Sequence, residues 1–147
     1  MPRFTGEFPA PRPCIATGEA IGALLEAIPE PTTVVVMASG DVSWRLADVI
    51  EAVDALLSPD VLVGLTASAV RAQGGALSSR ALALWATDAS GVRAVRLEAD
   101  PDDPTALAPR HLRPHADEAL LLWCDPETVD PDALVDWRPD LNLCAVS

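Results

Sequence analysis

Five polar residues in this sequence stand where predicted strands end, and together they could hold a small polar ligand. Ser39 and Asp41 follow one apolar strand, Thr66 and Ser68 follow the next, and Asp125 follows a third. The carboxyl ends of parallel strands meet at one rim of an α/β sheet, where hydroxyls, backbone amides and a carboxylate can bind a molecule such as an amino acid. Serine, threonine and aspartate are equally typical of helix caps and turns.

Two histidines, His111 and His115, are four residues apart in the sequence HLRPH. This spacing can place two imidazoles on one face of a helix, as in some zinc sites. Pro114 lies between them and disfavours a regular helix. No further histidine or cysteine stands nearby, so the sequence favours histidines in a solvent-facing loop and predicts no metal site.

The same polar residues do not belong to a recognisable catalytic motif. Ser68, His111 and Asp125 supply the residue types of a nucleophilic triad, but no G-x-S-x-G turn accompanies them. Gly74-Gly75 lacks both the lysine and the glycine spacing of a phosphate-binding loop. Because no acid, base or nucleophile pair stands out, the sequence predicts a protein that is not an enzyme.

The elements that must position these residues begin with a helix over 18–28, for which Thr17 is a plausible cap. A β-branched strand follows from Thr32 to Ala38, apolar on both faces as in a central parallel strand. Apolar residues then recur at helical spacing over 43–57, with Asp41 or Ser43 able to cap this helix. Val61–Leu65 supplies the next strand, which completes a predicted β-α-β unit.

The rest of the chain carries a second group of predicted strands. Arg80–Thr87 and Val92–Ala99 flank a turn sequence, Asp88-Ala89-Ser90-Gly91, and predict an antiparallel hairpin. Strands are also expected at Glu118–Cys124 and Leu141–Ser147. Residues 100–117 are expected to form a loop, residues 131–137 a short helix, and residues 1–16 an extended lead-in. The predicted class is α/β, with a mixed, largely parallel sheet flanked by helices in one domain over 17–147.

Charge and composition restrict the partners of this 147-residue chain. Its net charge is −12, from 22 carboxylates against ten basic residues, all of them arginine. Such a surface repels nucleic acid and anionic lipid, so binding to either is not expected. No apolar run approaches the ~20 residues of a membrane span, and no signal sequence is recognisable. Three unpaired cysteines fit a reducing compartment, and the predicted location is the cytoplasm.

Several stretches resemble one known family. The sequences TTVVVMAS, LADVIEAVDALL, DVLVGLTASAV, ALALWATDASGVRAVRLEA and ALLLWCDPETVDPDALV are similar to the N-terminal domain of the FIST family of bacterial sensory proteins. The resemblance covers about residues 17–147, and the family's C-terminal half has no counterpart here. It implies a signalling domain that binds small ligands, with amino acids suggested. It also implies haem as a conceivable cofactor, although the residues themselves predict none.

Two functions from different classes follow. The first is a sensory module that is not an enzyme and binds a small polar ligand at the strand-end rim. The alternative is an interaction or assembly module whose exposed sheet edge is covered by another chain. That chain would be a second copy, giving a homodimer, or a separately encoded partner.

Overall fold

The computed structural model describes residues 3–9, 13–70, 78–94, 120–123 and 143–146. The chain divides into two compact units, Met1–Ala94 and Val95–Ser147. Within the described residues, no helix combines the length and the apolar character needed to cross a membrane.

The first unit is built on a four-stranded mixed sheet. Its strands are β1 (Arg3–Pro9), β2 (Thr33–Ser39), β3 (Val61–Ala67) and β4 (Ala81–Thr87), in the spatial order β1-β4-β2-β3. β2 and β3 are parallel, whereas β4 is antiparallel to both β1 and β2. Three strands therefore run in one direction and β4 runs in the other, which confirms the predicted mixed α/β class.

Two helices and a 3-10 turn connect these strands. They are α1 (Pro13–Ala27), the 3-10 helix Gly40–Arg45 and α2 (Leu46–Leu57). The predicted β-α-β unit is confirmed as β2, α2 and the parallel strand β3, although α2 begins three residues later than predicted. Ser43 does not cap it, because its hydroxyl donates to the Ala38 carbonyl oxygen at 3.2 Å.

The N-terminal segment differs from the prediction. Residues 3–9 are extended, as expected of a lead-in, but they are a full strand paired with β4. Helix α1 begins at Pro13, where a proline is well tolerated because the first helical N–H needs no partner within the helix. Thr17 is consequently a buried residue inside α1, and its prediction as a cap is wrong.

The predicted hairpin is present only in its first strand and its turn. β4 confirms the strand at 80–87, and Gly91 has a φ of +82° in the turn that follows. Both edges of β4 are already occupied, by β1 and by β2, so no edge is left for a hairpin partner. Residues 92–94 accordingly have no strand conformation, and residues 95–99 lie outside the described part.

The core of the first unit lies between the sheet and both helices. Side chains from alternate positions of β2 and β4 point to one face, where α1 and α2 cover them. The buried residues of this core include Leu24 of α1 and Ile28 just after it, Val49 and Val53 of α2, Val34 and Val36 of β2, and Leu82 and Leu84 of β4. α1 and α2 therefore form one layer on one face of the sheet, called the helix layer below.

The second unit contains two described strands, β5 (Leu120–Trp123) and β6 (Leu143–Val146), which pair in parallel. They confirm the strands predicted at 118–124 and 141–147. The loop predicted at 100–117, the helix predicted at 131–137, Gly74-Gly75 and both histidines lie outside the described residues.

Candidate functional site

The structure brings the carboxyl ends of β2 and β3 together. In the parallel register Ala38 lies opposite Thr66 and Ser39 lies opposite Ala67. The polar residues that follow these two strands therefore start from adjacent points of the sheet, as the β-α-β prediction requires. Asp125 lies outside the described residues, so its predicted place at this rim stays a prediction.

Ser39 is fully buried at the end of β2, and its hydroxyl is used within the fold. Its Oγ accepts a hydrogen bond from the Ala81 backbone N–H at 3.0 Å. Its proton is shared between the backbone carbonyl oxygens of Ser78 and Ala81, each at 3.3 Å. The Ser39 hydroxyl thus links the end of β2 to the start of β4 through hydrogen bonds. We therefore do not include Ser39 among the proposed ligand-binding residues.

Gly40, the next residue after Ser39, also lies against the segment that precedes β4. Its φ is +60°, and a side chain there would overlap the backbone carbonyl oxygen of Ser79. The chain around residue 79 therefore lies directly against the end of β2, where the sequence predicts room for a ligand. Asp41 follows within the 3-10 helix, and its side chain is outside the described part.

Thr66 and Ser68 are exposed, unlike Ser39. Thr66 is the penultimate residue of β3, and Ser68 stands in the bend immediately after it. Solvent can therefore reach both residues at the predicted rim. Of the five predicted ligand residues, Thr66 and Ser68 are the two that the structure describes as exposed.

The structure also reveals a feature that the sequence analysis did not locate. β3 is a terminal strand of the sheet, and among the described strands only β2 pairs with it. Its seven residues, VLVGLTA, include no charge and no proline, and each is exposed or half-buried. The side of β3 away from β2 is called the β3 edge below.

The opposite end of the sheet is protected differently. β1 carries Arg3, Glu7 and Pro9 within its seven residues. Charged residues and proline are the usual devices by which natural proteins prevent a terminal strand from pairing with another chain. β1 contains charged residues and a proline, whereas β3 contains neither. Only the β1 end of the sheet therefore carries these devices against pairing with another chain.

Within the described residues, no group of three or more histidine, cysteine, aspartate or glutamate side chains is placed to hold a metal ion. Comparison with family models, curated proteins and solved structures gave no match to this chain. The FIST resemblance therefore stays a prediction from the sequence motifs.

Proposed function

We propose that this chain is an interaction module that is not an enzyme and pairs with a second copy of itself through the β3 edge. The observation that carries the proposal is the uncharged, proline-free β3 at one end of the sheet. A strand of this kind presents a row of backbone N–H and C=O groups that another strand can satisfy. We place this function in the cytoplasm, following the sequence analysis.

An antiparallel pairing of two β3 strands satisfies the symmetry of a homodimer. A two-fold axis through the middle of β3, near Gly64, makes each strand extend the other copy's sheet. Asp60, exposed just before β3, then lies beside the end of the partner's strand and far from the partner's Asp60. The pairing therefore brings no carboxylates of this segment together, despite the net charge of −12.

Replacing Thr66 with glutamate tests this function. Thr66 is exposed, so the fold should tolerate the change, while a glutamate on this terminal strand lies near the partner's Asp60 and opposes pairing. We expect the dimer dissociation constant to rise at least about tenfold, which corresponds to about 1.4 kcal/mol. Size-exclusion chromatography with light scattering over a concentration series measures it.

The matched control is Ser90→Glu, which adds the same charge in the exposed turn after β4. It should leave the dissociation constant unchanged. An unmodified chain that remains monomeric at its highest soluble concentration contradicts self-pairing. If that monomer instead binds a separately encoded chain, and Thr66→Glu abolishes the binding, the β3 edge serves a different partner.

A second candidate is the sensory module that binds a small polar ligand such as an amino acid. The exposed residues Thr66 and Ser68 favour it. A thermal-shift panel of amino acids and haem should reveal a stabilising member, worth about 2.7 kcal/mol at a hundredfold excess over Kd. Thr66→Ala should reduce that shift without changing the unliganded melting temperature. A panel in which no compound stabilises the protein contradicts this function.

Ser39→Ala separates structural from ligand-binding roles in the same assay. It leaves the buried Ala81 N–H without its acceptor, which typically destabilises a protein by about 1–3 kcal/mol. The unliganded melting temperature should therefore fall, whereas the size of any ligand-induced shift should persist.

A further inference from the structure

The helix layer contains an apolar groove that the proposed function does not use. It lies between α1 and α2 and has a volume of ≈ 210 Å³. Cys14, Gly18 and Ile21 line it from α1, and Val49, Ala52 and Leu56 line it from α2. A cavity of about 150 Å³ is enough to hold benzene, so the groove can accept an aliphatic or aromatic side chain.

An exposed apolar side chain forms part of this groove. Leu56, one of its lining residues, is 65% exposed. At Gly18, a Cβ would meet no atom within 4 Å, so the α1 backbone is open to close approach there. Apolar groups placed together around a concave surface are typical of a protein-binding site.

The charges of the helix layer indicate the chemistry of the occupant. α1 and α2 contain five carboxylates and no basic residue. All five are exposed: Glu19, Glu26, Asp48, Glu51 and Asp54. Arg45, which immediately precedes α2, lies 3.6 Å from the carboxylate of Asp48, and both residues line the groove. The other four carboxylates have no basic residue on either helix, so the helix layer around the groove is acidic.

We propose that the groove between α1 and α2 docks a cationic, amphipathic segment of a partner protein. An aliphatic side chain of that segment enters the groove, while its lysine and arginine residues face the carboxylates of the helix layer. A second copy of this chain is a poor occupant, because its own helix layer would set five carboxylates against five. The groove is lined by α1, α2 and Arg45 just before α2, with no residue of β3, so this docking does not depend on pairing at β3.

A synthetic amphipathic helical peptide of leucine and lysine is the probe, tested against the full chain by fluorescence anisotropy. We expect saturable binding that weakens as salt is raised from about 0.05 M to about 0.5 M. Ala52→Arg should weaken binding at least about tenfold, since it fills the groove with a cation. Ala47→Arg is the matched control, because it changes net charge equally on an exposed position of α2 outside the groove lining.

Cys14 supplies a direct readout of occupancy. Its thiol is exposed and lines the groove, so the bound peptide should slow its alkylation at least about fivefold, as measured by mass spectrometry of the Cys14 fragment. Should Ala52→Arg fail to fold, Leu56→Arg replaces it at a more exposed position. The proposal is overturned if the two alanine variants weaken binding equally, if a leucine–glutamate peptide binds as tightly, or if Cys14 alkylation is unchanged.

Discussion

Gly40→Ala should destabilise the first unit by about 2–4 kcal/mol. A left-handed backbone costs a residue with a Cβ about 1–2 kcal/mol, and Gly40 has a φ of +60°. The added methyl group would also overlap the Ser79 carbonyl oxygen. That carbonyl cannot simply move away, because Ser39 holds the backbone on both sides of it, at Ser78 and Ala81.

Urea denaturation followed by circular dichroism measures this change. Gly91→Ala is the matched control, since Gly91 also has a positive φ but a Cβ there would meet no atom within 4 Å. Gly91→Ala should lose only the stability that the left-handed backbone costs a residue with a Cβ, about 1–2 kcal/mol. Equal losses for the two variants would mean that the contact with Ser79 contributes nothing.

Leu24→Ala should destabilise the first unit by about 2–5 kcal/mol, as expected for a fully buried leucine whose removal leaves a cavity. Leu24 has no exposed surface and belongs to the core between α1 and the sheet. Its neighbour Leu25 is 38% exposed and provides the control on the same helix. We expect Leu25→Ala to cost less than about 1 kcal/mol.

The same denaturation experiment compares the two leucine variants. The difference between them should be at least about 1 kcal/mol, with unchanged helix content in the absence of urea. If both variants lost similar amounts of stability, this would contradict the placement of Leu24 on the buried face of α1 and of Leu25 on its exposed face.

The local part of the fold could be predicted from the sequence. The run of β-branched residues predicts β2 to within one residue at each end, because such residues favour strands wherever they stand. The apolar spacing over 43–57 predicts α2, and a helix between two apolar strands favours their parallel pairing. Each of these patterns lies within a few residues, so no distant segment had to be known.

The long-range part could not be predicted in this way. β1 has a proline-containing sequence with little alternation, and it is a strand because β4 pairs with it from residues 81–87. The hairpin prediction failed for the same reason, since β1 and β2 both occupy the edges of β4. Neither fact is encoded in the neighbouring residues.

The candidate site likewise has a local part that the sequence predicts and a part that depends on long-range packing. The sequence indicates that hydroxyls follow β2 and β3, and the register confirms that these ends are adjacent. Whether a hydroxyl faces solvent or backbone depends on what packs against it. Residues 78–81 bury Ser39, whereas Thr66 stays exposed on a terminal strand, and only the three-dimensional arrangement distinguishes them.

The pairing of β1 with β4 also determines the order in which the first unit can be assembled during synthesis. β1 is synthesised before the other three strands of its sheet, yet its partner β4 is complete only when Thr87 has been added. Contacts between such distant segments form slowly, because a long intervening loop must close. Until then β2 lacks its β4 neighbour, so the nascent sheet presents an apolar unpaired edge, and a chain that stalls before residue 87 is prone to aggregate.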